Sequence, residues 1–455
     1  MHQFELTSEY LNNVKNSIEA DDKKGLKLIL SNLHPADIAE VMEELNNENA
    51  QYIFLLLDSE KASDVLAEID EEERINFIES FPIDVIAQRF FDNMDSDDAA
   101  DLMGHLSEEQ QKQILSHMTD VDQAGDIVDL LHYNEDSAGG LMAKELISVN
   151  ENWTILTCLR EISRQAEDLD EIYNIYVVND DGILKGRLSM KKLISSPTST
   201  KVSSIYHNKI ASVTTEEKAE TVALTMQKYD LVSIPVVDQL GKLVGRITID
   251  DVVDFIKDEA DRDIQIISGI TQDVESSDSI WDLSKARLPW LIIAIFGGMI
   301  SAYMISLYTE QIAMFPIMAM FIPVITAMGG NVGIQSCTIV VQGLASNSLS
   351  ARFNSKNIIK VLGGAIINAL VCSSILFGLT LLFNHGNWAM PIAVGVSLFV
   401  VIIFASLFGT VFPLILNRMK IDPALATGPF ITLTNDIIGL NIYLIIGKIM
   451  LSVFA

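Results

Sequence analysis

The sequence predicts a multi-domain membrane protein: an all-α superhelical N-terminal domain, a tandem pair of α+β modules, a connecting acidic helix and a five-helix α transmembrane domain. Three observations predict it. First, the 455 residues combine 49% hydrophobic side chains with a net charge of −30, which is coherent only if the two kinds of residue are segregated. They are: residues 1–287 hold 58 acids and 25 bases, whereas from Leu288 onward there are three acids (Glu310, Asp422, Asp436) and six bases. Second, the acidic half contains internal repeats. Third, the other half contains five apolar stretches, each long enough for the ~20 residues that a bilayer core requires.

The acidic excess repels nucleic acid and strains a compact state by self-repulsion. Divalent cations are the natural neutralising partners, and plain solubility is the other use of such charge. Cys158, Cys337 and Cys372 are widely spaced, so neither a disulfide framework nor a zinc pattern is expected. The start "MHQFELTSEYLNNVKNS" lacks a basic stretch followed by an apolar one, so no cleavable signal is expected and the first half should stay in the cytoplasm.

Residues 1–132 are the first predicted domain. Here "LHPADIAEVMEEL", "LDSEKASDVLAEID", "FPIDVIAQRFFDNM" and "MDSDDAADLMGHLSEEQ" recur as short amphipathic segments. Stacked short helices of this kind build a superhelical array. Asp97, Asp98 and Asp101 fall on one helix, with Asp97 and Asp101 on a shared face. They can complement the helix dipole, or face a second acidic element with a metal between.

Residues 133–257 form the second region, divided at about 133–198 and 199–257. "VVNDDGILKGRLSMKKLI" (177–194) matches "VVDQLGKLVGRITIDDVV" (236–253) with a period of 59 residues. Each copy reads as strand, Gly turn, strand and helix. The repeat resembles a tandem pair of CBS domains, modules that often bind adenine nucleotides. The nucleotide signature of that family matches in the second copy as Gly245, Thr248 and Asp251, so the resemblance implies ATP near Thr248 and Asp251. The first copy has Lys192 where the Asp belongs.

A connecting helix is predicted over 258–284, continuing from about 250. It carries Asp250, Asp251, Asp254, Asp258, Glu259, Asp261 and Asp263. Like charges at i and i+4 destabilise a helix by a few tenths of a kcal/mol per pair, so this density invites counter-ions. A solvated face is the ordinary alternative.

Residues 285–455 are the pore domain, with apolar stretches at about 288–308, 312–345, 358–383, 389–416 and 423–453. Lys285, Arg287, Arg352, Lys356, Lys360, Arg418 and Lys420 flank or join them on one side, while the 1–2 and 3–4 loops carry no Lys or Arg. This bias predicts a multi-pass protein of the cell (inner) membrane, with the N-terminal domains cytoplasmic and the C-terminus outside. Two places keep polar groups at membrane depth. In "PVITAMGGNVGIQSCT" (323–338) Pro323, Gly329, Gly330 and Gly333 should weaken regular helix, either to line a cavity or to pack helices tightly. The last stretch is expected to begin with Asp422 as N-cap and Pro423 in its first turn. Asp436 lies well inside it, on a face with Pro429, Thr432 and Gly439. A carboxylate at membrane depth is by default functional, and structural pairing with Asn331 or Asn441 is the alternative. Hard oxygen donors throughout favour Mg²⁺, Mn²⁺ or Ca²⁺ over zinc or copper.

The acidic helical domain, the paired modules, the acidic connecting helix, "GGNVGIQS" and "DPALATGPFITLTNDIIG" together resemble the MgtE magnesium channels over nearly the whole chain. The resemblance implies a homodimer in the lipid bilayer with one central pore. It places the selectivity carboxylate on Asp436, with Thr432, Asn331 and Gly330 around the path. It also implies closure by connecting "plug" helices when cytoplasmic Mg²⁺ binds Asp251, Asp254, Glu259, Asp263, Glu220 and Asp230, together with Asp97 and Asp101. Gln342 stands where the family commonly has Arg, Gly428 where an amide can occur, and Arg262 at an often acidic position. The competing class is a nucleotide-regulated secondary transporter of divalent cations. No nucleophile–base pair or P-loop supports an enzyme.

Overall fold

The computed structural model describes residues 6–69, 71–78, 80–166, 169, 172–271, 274, 279–345, 355–383, 388–426 and 428–454. Met1–Glu5, Arg352 and the "NHGN" loop, on which the expected lack of a signal and part of the expected orientation rest, lie outside them. The chain divides into two compact units, Met1–Ile256 and Lys257–Ala455.

The first unit opens with short helices: α1 (Ser8–Glu19), α2 (Lys23–Ser31), α3 (Pro35–Glu43), α4 (Asn47–Leu56) and α5 (Ser59–Ala67). These continue as α6 (Glu71–Ile78), α7 (Ile83–Val85), α8 (Ser96–Gly104), α9 (Glu108–His117) and α10 (Val121–Leu130). The recurring Asp, Asn and Ser at the segment starts are caps. Asp22, Asn46, Asp58, Ser107 and Asp120 each accept a backbone N–H of the helix that follows. The opposite ends are satisfied by long basic side chains. Lys61 Nζ donates to the Leu33 carbonyl at 2.7 Å and Arg74 Nη2 to that of Ala67 at 2.7 Å. Phe54, Phe77, Phe81 and Phe90 fill the centre of the stack edge to face.

Two modules of one topology follow. The first has β1 (Ile147–Asn150), α11 (Ile155–Gln165), β2 (Ile175–Val178), β3 (Leu184–Leu188) and α12 (Met190–Ser195). The second has β4 (Val213–Thr214), α13 (Ala219–Tyr229), β5 (Ser233–Val237), β6 (Leu243–Thr248) and α14 (Ile249–Ser268). In each, the first strand pairs parallel and the third antiparallel to the central one. Gly182 and Gly241 turn the hairpins at φ +80° and +82°, a left-handed backbone that favours glycine. The hairpins join back to back: Leu184 donates to the Gly241 carbonyl and Leu243 to that of Gly182. Behind them, the Tyr176 hydroxyl meets Ser233 Oγ at 2.9 Å in the buried seam. The helical domain shares its core with the second module through Ala138, Met142, Val222, Ile234 and Ile247.

The second unit contains α15 (Ile280–Ser306), a short α16 (Thr309–Met314), α17 (Ile317–Ala345), α18 (Ser355–Phe383), α19 (Ala389–Arg418) and α20 (Gly428–Phe454). Five of these are long and apolar enough to cross a membrane. α19 is the most enclosed, packed against α17, α18 and α20, while α15 packs on α20 and leaves most of its surface bare.

Three expectations are corrected here. The connecting helix does not reach 284: α14 stops at Ser268, where Gly269 adopts φ +85°, and a left-handed glycine is a common helix terminator. "TAMGGNVGIQS" does not interrupt its helix, because α17 runs unbroken from Ile317 to Ala345. In lipid, the cheapest partner for each backbone N–H is its own helix, and the glycines serve close packing instead. The last long helix starts at Gly428 rather than 423. Asp422 Oδ1 accepts the Ala424 N–H at 2.8 Å, but the turn it caps, Pro423–Ala426, is a separate 3₁₀ segment.

Candidate functional site

Carboxylates gather where α8 meets the start of α14, within the first unit. Asp97 and Asp98 occupy the first turn of α8, and Asp251 the first turn of α14. Burial, then the charges of Asp98, Asp251, Asp95 and Glu145, pushes Asp97 well above the usual carboxylate range. Burial also raises Asp98 to about 7 against the pull of Arg74, with Asp95, Asp251 and Asp101 adding to the rise. Asp251 is raised by burial, although two hydrogen bonds hold it down: Thr248 N and Thr248 Oγ1 both donate to its Oδ2, at 2.8 and 2.5 Å. Glu145 is raised by burial and Asp95.

Asp97 and Asp251, singled out in the sequence, are therefore neighbours. Asp101 lies exposed one turn along α8, and Asp254 is exposed on α14. Glu259 is paired with Arg262 at 3.4 Å, and Asp263 is partly exposed further down the same helix. Glu220 and Asp230 sit at opposite ends of α13, the latter as a left-handed C-cap at φ 51°, and are not brought together. Among the described residues no three His, Cys, Asp or Glu side chains converge as a finished metal site. The donors are nonetheless all hard oxygens, and Asp97, Asp98, Asp251 and Glu145 are held above the usual carboxylate range by burial and by neighbouring acids, a set that fits a hydrated divalent cation.

Thr248 and Asp251 bond to each other. Two cavities that neither of them lines, of 270 and 540 Å³, share Asn174 and Arg187 of the first module. The smaller adds Tyr173 and Ser189, the larger Lys209 and Tyr229. Arg246 stacks over the Tyr173 ring at 5.6 Å. Sequence reasoning missed these residues, because the signature motif points to one turn and the cavity lining comes from both copies.

The membrane site is a seam between α17 and α20. Asp436 is half-buried, Thr432 Oγ1 donates back to the Gly428 carbonyl at 2.9 Å, and Asn331 is exposed. Gly330 lies against Thr432 and Asp436: a Cβ there would stand 3.2 Å from Thr432 Cγ2 and 3.6 Å from Asp436 Oδ1. Asn441 donates to its own helix at Ile437 O, at 2.8 Å, rather than to Asp436. Asn435, one residue before Asp436, is fully buried with both amide atoms unpaired. At the cytoplasmic-side end of this helix by the predicted orientation, a Cβ on Gly428 (φ +48°) would overlap the Ile267 carbonyl, and Gly269 packs on Pro429. The end of α14 thus touches the start of the helix that carries Asp436.

Family models match along the chain: a divalent cation transporter domain over residues 322–446, an MgtE intracellular N domain over 33–136, and CBS domains over 138–198 and 202–258. The magnesium transporter MgtE of Thermus thermophilus is 32% identical over 448 residues, covering 96% of this chain and 98% of its own length. That of Enterococcus faecalis is 33% identical over 338 residues, covering 73% of each chain. Among solved structures, the soluble part of a magnesium transporter is similar at TM-score 0.52 and 27% identity, over 55% of this chain and 98% of that one. The cytosolic domain of the Mg²⁺ channel MgtE in complex with ATP is similar at TM-score 0.50 and 32% identity, over 54% and 99%. With its helical domain, paired CBS modules and multi-pass membrane domain all matched, the chain belongs to the MgtE family of magnesium transporters.

Proposed function

We propose that the chain is a Mg²⁺-selective channel for magnesium uptake, closed when cytoplasmic Mg²⁺ binds among the carboxylates of the helical domain, the second CBS module and α14. The observation that carries this reading is the contact between the end of α14 and the start of the Asp436 helix. α14 begins at the Asp97–Asp98–Asp251 cluster, and its far end lies against Gly428 and Pro429 at the start of the Asp436 helix. A helix is stiff, so ligand binding at its first turn can bias what its last turn touches.

The linkage is electrostatic. Without cation, the raised acids around Asp97 disfavour the arrangement that brings them together. A divalent ion held by Asp97, Asp101, Asp251 and Asp254 relieves that repulsion and so binds the gathered state preferentially. Only differential affinity of this kind shifts a two-state equilibrium. Glu259 and Asp263 add donors along α14, and Glu220 and Asp230 extend the acidic surface of the second module.

In the membrane, Asp436 and the polar groups near it, Thr432 and Asn331, face a hydrated Mg²⁺ as substrate. The ion gains ~4.6 kcal/mol on entering a cell at −100 mV. The functional unit is a homodimer with one Asp436 from each subunit. The helical domain and the CBS pair are cytoplasmic, and the C-terminus is outside. ATP, bound by the cytosolic domain of the related Mg²⁺ channel, occupies the cavities at Asn174 and Arg187 here.

Patch recording with cytoplasmic Mg²⁺ titrated from micromolar to millimolar tests the reading. Unitary currents that disappear on titration are expected, and Gly428→Ala should blunt that loss by displacing the end of α14. Currents of unchanged open probability across the titration would sink the gating claim. Flux without unitary currents would favour the carrier alternative.

A further inference from the structure

On the side where α14 arrives, the seam between α17 and α20 is sealed by an apolar cluster. Cys337 and Val341 of α17, Ala424 of the 3₁₀ turn and Ile431 of α20 are buried there, and Ile266 near the end of α14 packs against them with Ile334, Phe408 and Phe412. Asn435 lies one helical turn further along α20 than Ile431. Both reach the same glycine of α17: a Cβ on Gly333 would overlap Asn435 Nδ2 and stand 2.8 Å from Ile431 Cγ2. From the other side Gly409 of α19 closes on Gly333, where its own Cβ would overlap the Gly333 carbonyl. Three helices thus meet tightly around one amide.

That amide is fully enclosed, and neither Nδ2 nor Oδ1 has a hydrogen-bond partner. The hydroxyls of the same junction are engaged elsewhere. Ser336 Oγ donates to Ser406 Oγ at 3.1 Å, and Thr410 Oγ1 donates to the Ser406 carbonyl at 2.7 Å. Nor does Asn435 share the seat of Asp436: the carboxylate lies against Gly330, whereas Asn435 has Gly329 and Gly333 against it. An enclosed amide without a partner is disfavoured against a hydrated one. The seated arrangement therefore carries a cost that an apolar side chain would avoid.

We propose that Asn435 is an opening bias built into the seam. With the end of α14 seated, its amide is sealed and unsatisfied. When Ile266 withdraws, the cluster loses its outer layer, the α17–α20 contact loosens and water reaches the amide. Ser336 and Ser406 offer that water further partners. Hydration is available to the unseated arrangement alone, so it shifts the balance that way. Mg²⁺ at the cytoplasmic carboxylates has to outweigh it to close the path. This rests on closure by α14 as proposed above, but the hydration of the seam has a readout of its own.

Two measurements on the full-length protein test it. In patches, Asn435→Leu should close at about tenfold lower cytoplasmic Mg²⁺ than the parent chain, with unitary conductance unchanged. Cys337, buried in the same cluster, reports water directly once Cys158 and Cys372 are replaced by alanine. Its modification by a small water-soluble methanethiosulfonate should be about tenfold faster in EDTA than in saturating Mg²⁺, and Asn435→Leu should slow the EDTA rate towards the Mg²⁺ rate. Asn435→Met, equally apolar and more pliable, should reproduce both effects where leucine fits poorly. Equal Mg²⁺ midpoints, or an altered unitary conductance, overturn the bias. So do equal EDTA rates at Cys337 in parent and variant. If the parent's currents ignore cytoplasmic Mg²⁺ while its Cys337 still reacts faster than in Asn435→Leu, closure by α14 fails and the hydration bias stands.

Discussion

Gly333 on α17 lies directly against the side chain of Asn435 on α20, so closely that any Cβ at Gly333 would overlap the amide nitrogen. Gly333→Ala should therefore separate the two helices and destabilise the detergent-solubilised protein by about 1–3 kcal/mol, the usual cost of overpacking. A thermal melt followed by size exclusion reads this as a lowered transition temperature. The amide itself carries the opposite prediction. Asn435 is buried with neither amide atom paired, and such a group costs about 1–3 kcal/mol. Asn435→Leu, of similar volume, should raise the transition temperature, and a lowered one would mean that the amide is paired.

Asp436→Ala should reduce Mg²⁺ uptake to background while leaving a folded, membrane-inserted protein. Uptake in cells lacking other magnesium transporters, with folding checked by size exclusion, measures it. Retained uptake would remove Asp436 from the path.

The acids around Asp97 give a pH dependence of definite sign. A carboxyl raised in the docked state binds protons there that it does not bind when docking is lost, so docking weakens as pH rises through the raised value. For Asp98 that value is about 7. At low divalent concentration, protection of α8 from exchange should be greater at pH 6 than at pH 8. Saturating Mg²⁺ should remove the difference, because the cation replaces the protons.

Arg187 borders both cavities of the CBS pair, whereas Asp251 borders neither. Arg187→Ala should weaken ATP binding about 10- to 100-fold, while Asp251→Asn should leave it nearly unchanged. Isothermal titration with the full-length protein distinguishes the two, and the reverse order would return the nucleotide to the Thr248 turn.

Much of this fold was legible in the sequence because its signals are periodic. The caps of the helical domain, the Gly182 and Gly241 turns and the five apolar spans each repeat a local rule that needs no tertiary partner. What stayed hidden depends on long-range contact. Nothing near Ser96 announces Glu145, 49 residues on, as its cap. Gly329, Gly330 and Gly333 looked like helix breakers, since propensity is local, whereas the packing that makes them useful comes from α20. The extent of α14 was overestimated because acidic composition continues past Ser268 while the backbone turns at Gly269. Asp97 and Asp251 were found by charge and by resemblance, while Arg187 and Asn174 carry no motif and are joined only by the pairing of β2 with β3 in the first module.

The hydrogen bonds within the Thr248 turn also limit which ion Asp251 can hold. Both donors of Thr248 fall on the same carboxylate oxygen, Oδ2, which occupies its lone pairs and leaves Oδ1 as the free donor. Asp251 can thus offer a cation a single oxygen and cannot chelate it side-on. Ca²⁺, with its six to eight ligands and frequent bidentate carboxylates, loses more from that restriction than Mg²⁺, which prefers six ligands and keeps several of them as water. If Asp251 holds the sensor ion as proposed, a threonine three residues away, acting only through a helix cap, would weigh against the larger ion.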